Sequence, residues 1–103
     1  IASLGRPEIL LVDLRETGER NKHGMLAGAL HAPYGGIEES LKPGGMLREV
    51  AAASGRRIVF FCAFGERSAM AVKAAKEAGL AHTAHIEGGI DAWKKAGGPV
   101  LHA

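Results

Sequence analysis

Short apolar segments, separated by polar and glycine-rich stretches, are the main pattern along this chain. Residues 8–14 and 57–61 are apolar runs without a helical period, and their lengths are typical of buried parallel strands. Residues 29–32 and 83–86 predict two further short strands, the first of which is stopped by Pro33. The run at 57–61 is the clearest strand of the four.

Helices are predicted between these strands. Residues 15–22 are highly charged and are typical of a short exposed helix or turn, whereas short helices are expected over 37–41 and 47–53. The break between the last two is expected at Pro43, because a proline disfavours helical geometry in the residue before it.

A longer helix is predicted over residues 68–78, where alanines recur on one face and Gly79 follows in a position that favours a left-handed residue. A last short helix is expected over 90–95, closed by Gly97, Gly98 and Pro99. Strands that alternate with helices predict an α/β fold, a single domain over residues 1–103 with a mainly parallel central sheet flanked by helices.

Composition and charge exclude several classes of protein. The 103 residues contain no apolar run near the ~20 residues that a membrane helix needs. The net charge of +2 comes from 13 basic and 11 acidic residues that are dispersed along the chain, which argues against a nucleic-acid surface. The one cysteine, Cys62, excludes an internal disulfide and a Cys-rich zinc site.

Two expectations concern the setting of the chain. A single cysteine is compatible with a reducing compartment, so we expect a cytoplasmic location. The sequence opens at Ile1 rather than Met, close to the first predicted strand, and we expect that a short N-terminal stretch has been removed.

The segment with the most chemistry follows the strand at 57–61. It consists of Cys62, Ala63, Phe64, Gly65, Glu66, Arg67 and Ser68 and is called the cradle loop below. Ligands of parallel sheets bind at the carboxyl ends of the strands. A loop that enters a helix there can turn its N–H groups inward, and the helix N-terminus adds a positive field. A cysteine in that field has a lowered thiol pKa and reacts as the thiolate.

Other residues of the cradle loop fit an anion site. Gly65 supplies backbone freedom, Arg67 is a permanent cation that can bind an anion in bidentate fashion, and Ser68 can cap the helix or donate to the sulfur. The alternative is a buried structural cysteine, since free cysteine is often buried. We favour the reactive cysteine, because a simple core position does not call for these three residues.

The cradle loop resembles the C-x-x-G-x-R-S active-site loop of single-domain rhodanese-like proteins. Three further segments resemble signatures of that family in the same order along the chain. They are residues 11–16 (D-x-R-E), Gly28-Ala29 with Pro33 (P-G-A-x-x-x-P), and Gly88-Gly89 with Trp93 (G-G-x-x-x-W). Together the four segments extend from about residue 9 to residue 98.

The resemblance implies a sulfurtransferase. Cys62 would take a sulfane sulfur from a donor, thiosulfate or a thiol persulfide, and hold it as a persulfide stabilised by the amides of residues 63–67. The acceptor would be cyanide in an assay and a thiol or another protein in the cell. This is covalent catalysis by an activated nucleophile, and it implies no metal and no organic cofactor. We expect small-molecule partners, a possible protein acceptor, no nucleic acid and no membrane.

Two other functions stay open at this point. A non-catalytic sulfur carrier or protein-interaction module could use the same loop. A phosphatase or arsenate reductase would resemble C-x5-R, whereas Cys62 to Arg67 forms the shorter C-x4-R, whose tighter ring favours a sulfur atom over a phosphate.

Several residues outside or within the loop receive secondary roles. Asp13 and Arg15, at the end of the first strand, either hold the loop by hydrogen bonds or form a structural ion pair, and we favour the ion pair. Glu66 is expected to offset the charge of Arg67, which would make thiosulfate a poor donor and a thiol persulfide a better one.

Trp93 is expected to pack in the core. The remaining candidates, His31, His82, His85 and His102, are expected to be ordinary surface or strand-end histidines without metal-ligand spacing.

Overall fold

A parallel four-stranded sheet lies at the centre of the protein in a computed structural model that describes residues 9–26, 28–80 and 83–98. The strands are β1 (Ile9–Asp13), β2 (Leu30–His31), β3 (Arg57–Phe61) and β4 (Thr83–His85). Their order is β2-β1-β3-β4, and every neighbouring pair is parallel. The α/β fold with a mainly parallel sheet is therefore confirmed, and the order places β3 between two neighbours.

Five helices and a 3-10 turn accompany the described strands, and the last helix follows β4. The helices are α1 (Thr17–His23), α2 (Ile37–Leu41), α3 (Met46–Ser54), α4 (Glu66–Glu77) and α5 (Gly89–Lys95), and the turn is Tyr34–Gly36. The main difference from the sequence prediction is the start of α4 at residue 66 rather than 68. Gly65, with φ 106°, is the N-cap residue, so Ser68 lies inside the first turn and does not cap the helix. At the other end of α4, Gly79 has the expected positive φ of 94°.

The sheet buries both of its faces, as its continuous apolar strands require. On one face Val12, Phe60 and their neighbours pack against α2, α3 and α4, and on the other Leu11 and Phe61 pack with residues of α5. Trp93 belongs to the second layer and is 8% exposed, which confirms its packing role. Covering both faces with helices leaves the carboxyl edge of the sheet as the place for a site.

The described residues include no helix long and apolar enough to cross a membrane. Within the same ranges, no three His, Cys, Asp or Glu side chains cluster as metal ligands would. The first residue of the segment predicted as β1, Glu8, lies outside the described residues, as do His82, Pro99 and His102.

Candidate active site

The cradle loop leaves β3 at the carboxyl edge of the sheet and runs directly into α4. Cys62 is the first residue after β3, and four residues later Glu66 begins the helix. Gly65 makes this short path possible: its φ of 106° is strained for any residue with a side chain, and a Cβ there would lie 3.0 Å from the amide nitrogen of Gly88. The glycine of the loop is thus required both by its backbone angle and by its neighbour.

Two backbone donors and one hydroxyl surround the sulfur of Cys62. The N–H of Gly65 donates to Sγ at 3.1 Å and the N–H of Ser68 at 3.4 Å, and the Ser68 hydroxyl lies 3.7 Å away. Cys62 itself is only 1% exposed. The predicted inward turn of the loop amides is therefore present around this thiol.

The surroundings of the Cys62 thiol favour its ionised form. Burial raises the pKa of Cys62, but the backbone and hydroxyl hydrogen bonds from Ser68, together with the N–H groups of Gly65 and Phe64, outweigh it, so that the pKa lies below its ordinary value of 9.0. A cysteine with a purely structural role needs no such set of donors. The geometry therefore favours the reactive cysteine over the packing cysteine.

The N-terminus of α5 holds the start of the cradle loop in place. Ile90 N–H donates to the carbonyl of Cys62 at 2.8 Å, and Asp91 N–H donates to the carbonyl of Ala63 at 3.1 Å. At Gly89 a Cβ would collide with the same two carbonyl oxygens. This contact gives a physical reason for a glycine at position 89.

Arg67 is paired with a residue that the sequence analysis did not single out. Its guanidinium donates to both carboxylate oxygens of Glu19 on α1, each at 2.8 Å. The hydrogen bond from Arg67 lowers the pKa of Glu19 from 4.5 to about 2. The bond to Glu19 in turn raises the pKa of Arg67, with a smaller contribution from Cys62.

The expected partner, Glu66, is exposed, and no contact between it and Arg67 is among those of the described residues. The carboxylate that binds Arg67 is therefore Glu19, 48 positions away, whereas the effect of the Glu66 charge stays a prediction. Only an indirect signal for Glu19 is present in the sequence. Glu19 forms a capping box with Glu16 at the start of α1. Such a box indicates the start of a helix and does not indicate that Glu19 pairs with Arg67.

Asp13 and Arg15 form a buried ion pair at the end of β1. Arg15 donates to both carboxylate oxygens, at 3.0 and 2.9 Å, and to the carbonyl of Gly24 at 2.7 Å, while Arg20 approaches Asp13 at 3.2 Å. In the part of the chain that the structure describes, these side-chain bonds run to β1, α1 and the segment after α1 rather than to the cradle loop. The contacts are those of the structural ion pair.

His85, at the end of β4, reaches the cradle loop through Ser68. Its Nδ1 lies 3.0 Å from the Ser68 hydroxyl, which is itself the neighbour of Cys62 Sγ. His85 is the strand-end histidine that was expected, and it also contacts the cradle loop, which was not expected. A signal was present in the sequence, because His85 ends a strand predicted to lie in the same parallel sheet as the strand before Cys62. His31 makes a different contact, between its Nε2 and the carbonyl oxygen of Arg15 at 2.6 Å.

A cavity of about 230 Å³ opens beside the cradle loop. Its wall combines apolar side chains with charges of both signs: it includes Ala63, Phe64, Ile90, Glu19, Asp91 and Lys94. Phe64 is 64% exposed, so it presents an apolar surface beside the candidate nucleophile. The space is large enough for a small organic group and not only for an inorganic anion.

The family of the chain follows from comparison with known proteins. The rhodanese-like domain family matches residues 1–96, so the chain belongs to the rhodanese-like family. An uncharacterized protein from Synechocystis sp. is 32% identical over 94 residues, which are 90% of this chain and 47% of that protein. The chain thus spans about half the length of that curated relative.

Solved structures agree with the fold. A protein of unknown function from Rhodopseudomonas palustris, described as a "possible tyrosine phosphatase", is 36% identical with a TM-score of 0.81, over 90% of this chain and 70% of that one. A rhodanese-like domain from Anabaena sp. is 28% identical with a TM-score of 0.70, over 96% and 69%. A human single-domain sulfurtransferase, 24% identical with a TM-score of 0.67 over 85% and 82%, is similar in fold.

Proposed function

We propose that this protein is a sulfurtransferase in which Cys62 carries the transferred sulfur as a persulfide. The Cys62 thiolate attacks the outer sulfur of the donor, a new Sγ–S bond forms, and the S–S bond of the donor breaks. The donor leaves as a thiolate, or as sulfite when it is thiosulfate. An acceptor thiolate or cyanide then attacks the outer sulfur and the Cys62 thiolate leaves, so that no external oxidant or reductant is needed.

The observation that carries the proposal is the set of donors around Sγ. The N–H groups of Gly65 and Ser68 donate to the sulfur of Cys62 and stabilise a negative charge there, and the Ser68 hydroxyl lies within hydrogen-bond distance of it. The same donors favour the thiolate that attacks and the thiolate that leaves in the second step. The terminal sulfur of a persulfide is a single atom, which suits the short C-x4-R loop.

The cavity beside the loop supports a thiol persulfide as the preferred donor. Its apolar wall at Phe64 and Ile90 fits the organic part of such a donor, and Lys94 on α5 offers a cation for a carboxylate. Arg67, the cation best placed to attract a small dianion, is already neutralised by Glu19. Thiosulfate therefore gains less from the charge of Arg67, and we expect it to be the poorer donor.

The acceptor thiol lies outside these 103 residues, since Cys62 is their one cysteine. A small thiol and a thiol on another protein are both compatible with the exposed Phe64 at the mouth. A domain that only carries sulfur, or docks onto a partner, would load rapidly and then discharge poorly onto small acceptors. The rate of discharge separates this second function from the sulfurtransferase.

A phosphatase is the third function to test, because the Rhodopseudomonas relative is described as a possible tyrosine phosphatase. Two features of this chain oppose it. The loop is one residue shorter than C-x5-R, and the guanidinium that would bind an equatorial phosphate oxygen is held by Glu19. We therefore place sulfur transfer ahead of phosphate chemistry.

Steady-state turnover tests the proposal. We expect cyanide-dependent thiocyanate formation from a thiol persulfide, a slower rate from thiosulfate, and loss of both in Cys62→Ser. Hydrolysis of an aryl phosphate that depends on Cys62, without thiocyanate formation, would establish the phosphatase instead. A faster rate with thiosulfate than with the persulfide would contradict the donor assignment.

A further inference from the structure

The side chains of His85, Ser68 and Cys62 form a chain of hydrogen bonds that ends at the sulfur of the candidate site. Ser68 Oγ lies 3.0 Å from His85 Nδ1 and 3.7 Å from Cys62 Sγ. The same oxygen lies 3.1 Å from the carbonyl oxygen of Gly65. Ser68 is fully buried in the first turn of α4, and His85 is half-buried at the end of β4. The hydroxyl therefore has three neighbours and only one proton to donate.

The position of the proton on His85 decides what this hydroxyl can do. If Nδ1 is unprotonated, it accepts the Ser68 proton, and none is left for the sulfur. If Nδ1 carries a proton, it donates to Ser68 Oγ, and the hydroxyl proton is available for either Gly65 O or Cys62 Sγ. Gly65 O already accepts the N–H of Ala69 at 3.0 Å, and a thiolate is a stronger acceptor than a carbonyl.

We propose that His85 is a positioning residue of this site: its Nδ1–H donates to Ser68 Oγ and thereby leaves the Ser68 hydroxyl proton to the Cys62 thiolate. His85 acts through Ser68 and does not touch the sulfur. The inference deepens the proposed function, because it rests on Cys62 reacting as a thiolate. The direction of the hydrogen bond between Ser68 Oγ and Cys62 Sγ reverses when Cys62 ionises, because the neutral thiol donates its own S–H to Ser68 Oγ.

The surroundings of His85 are compatible with this tautomer. His85 also lines a cavity of about 420 Å³, whose charged wall residues are Arg57 of β3 and Glu87 after β4. These two have opposite charges, and on the α4 side the described partner is the neutral Ser68. The proposal requires only an Nδ1 proton, which one neutral tautomer and the imidazolium both carry.

A matched pair of variants isolates the Nδ1–H donor. In His85→Asn the side-chain amide nitrogen takes the position of Nδ1 and keeps a donor, whereas His85→Leu has the same branched shape as Asn and no donor. The measurement is the rate of Cys62 alkylation by iodoacetamide against pH, which reports the thiolate fraction. We expect His85→Leu to slow alkylation at pH 7 by about 3- to 10-fold, the size of one lost hydrogen bond, and to shift the profile to higher pH. His85→Asn stays within about 2-fold of the parent.

A double-mutant cycle with Ser68→Ala tests whether His85 acts on Cys62 through Ser68. We expect His85→Leu to have no further effect when Ser68 is alanine. Equal profiles for His85→Leu and the parent, equal slowing in His85→Asn and His85→Leu, or additive effects with Ser68→Ala would each overturn the proposal. Alkylation needs no sulfur donor, so a protein that responds as expected and forms no persulfide contradicts the proposed function alone.

Discussion

The Glu19 carboxylate holds the Arg67 guanidinium through two hydrogen bonds of 2.8 Å, across 48 positions of sequence. This pair joins α1 to the first turn of α4, and Glu19 also lines the cavity beside the cradle loop. The charge of Arg67, in the cradle loop, is thereby compensated within the fold. The pair is the main determinant of donor choice in our account.

Glu19→Gln is expected to favour thiosulfate. The amide keeps an oxygen for the Glu16 N–H of the capping box but removes the negative charge that Arg67 now compensates. The ratio of thiosulfate rate to thiol-persulfide rate should rise by about 5-fold, which corresponds to ~1 kcal/mol for a partly exposed charge pair. Glu66→Gln is the control, since this exposed residue is not the partner of Arg67. An equal rise in the Glu66 variant would show that general charge at the mouth, and not the pair, sets the ratio.

The same ion pair gives a pH dependence of stability. The pKa of Glu19 falls from 4.5 to about 2 in the folded protein because of its hydrogen bond with Arg67. A depressed carboxyl pKa stabilises the fold above pH 4.5, and this contribution declines as the pH falls toward 2. Urea unfolding at pH 7, 5 and 3 should therefore show a difference between the parent and Glu19→Gln that is constant from pH 7 to 5 and smaller at pH 3. A difference that grows on acidification would have the wrong sign.

Asp13→Asn is expected to destabilise the fold by about 3–5 kcal/mol. The change leaves the buried guanidinium of Arg15 without its carboxylate, and breaking one side of a buried pair costs far more than the pair itself contributes. Asp91→Asn is the control, because its bond with Lys95 is largely exposed and should change the free energy of unfolding by less than about 1 kcal/mol. Similar losses in both variants by urea unfolding would contradict the structural role of Asp13.

Gly89→Ala should slow the chemistry of Cys62 without touching a side chain of the site. An added Cβ collides with the carbonyl oxygens of Cys62 and Ala63, so the start of the cradle loop must move. Gly97→Ala is the matched control, since Gly97 also has a positive φ, 84°, but open space around it. Both variants should lose about 1 kcal/mol for the backbone angle, and Gly89→Ala a further 1–3 kcal/mol for the overlap. Slower alkylation of Cys62 is expected only in Gly89→Ala.

The fold was largely predictable because its signals are local. Arg57–Phe61 and Ile37–Leu41 have the predicted bounds, since an apolar run and a helical spacing depend on neighbouring residues. The start of α4 differed because a glycine with positive φ, not the serine, caps the helix, and capping depends on backbone angles that the sequence does not reveal.

The candidate site was predictable only in its contiguous part. The cradle loop lies in one stretch of sequence, and its glycine, arginine and serine could be interpreted together. Glu19 and His85 reach it from α1 and β4, and their contacts depend on how distant elements pack. Spacing along the chain contains no information about such pairs. For His85, however, its position at the end of a neighbouring parallel strand did indicate that it could lie near the cradle loop.

The most direct test of the central claim is the mass of the intact protein after incubation with a thiol persulfide. Our account predicts an added mass of one sulfur atom in the parent, removal of that mass by cyanide or a thiol, and no addition in Cys62→Ala. An unchanged mass in the parent, or the same addition in Cys62→Ala, would contradict the claim that Cys62 carries sulfur.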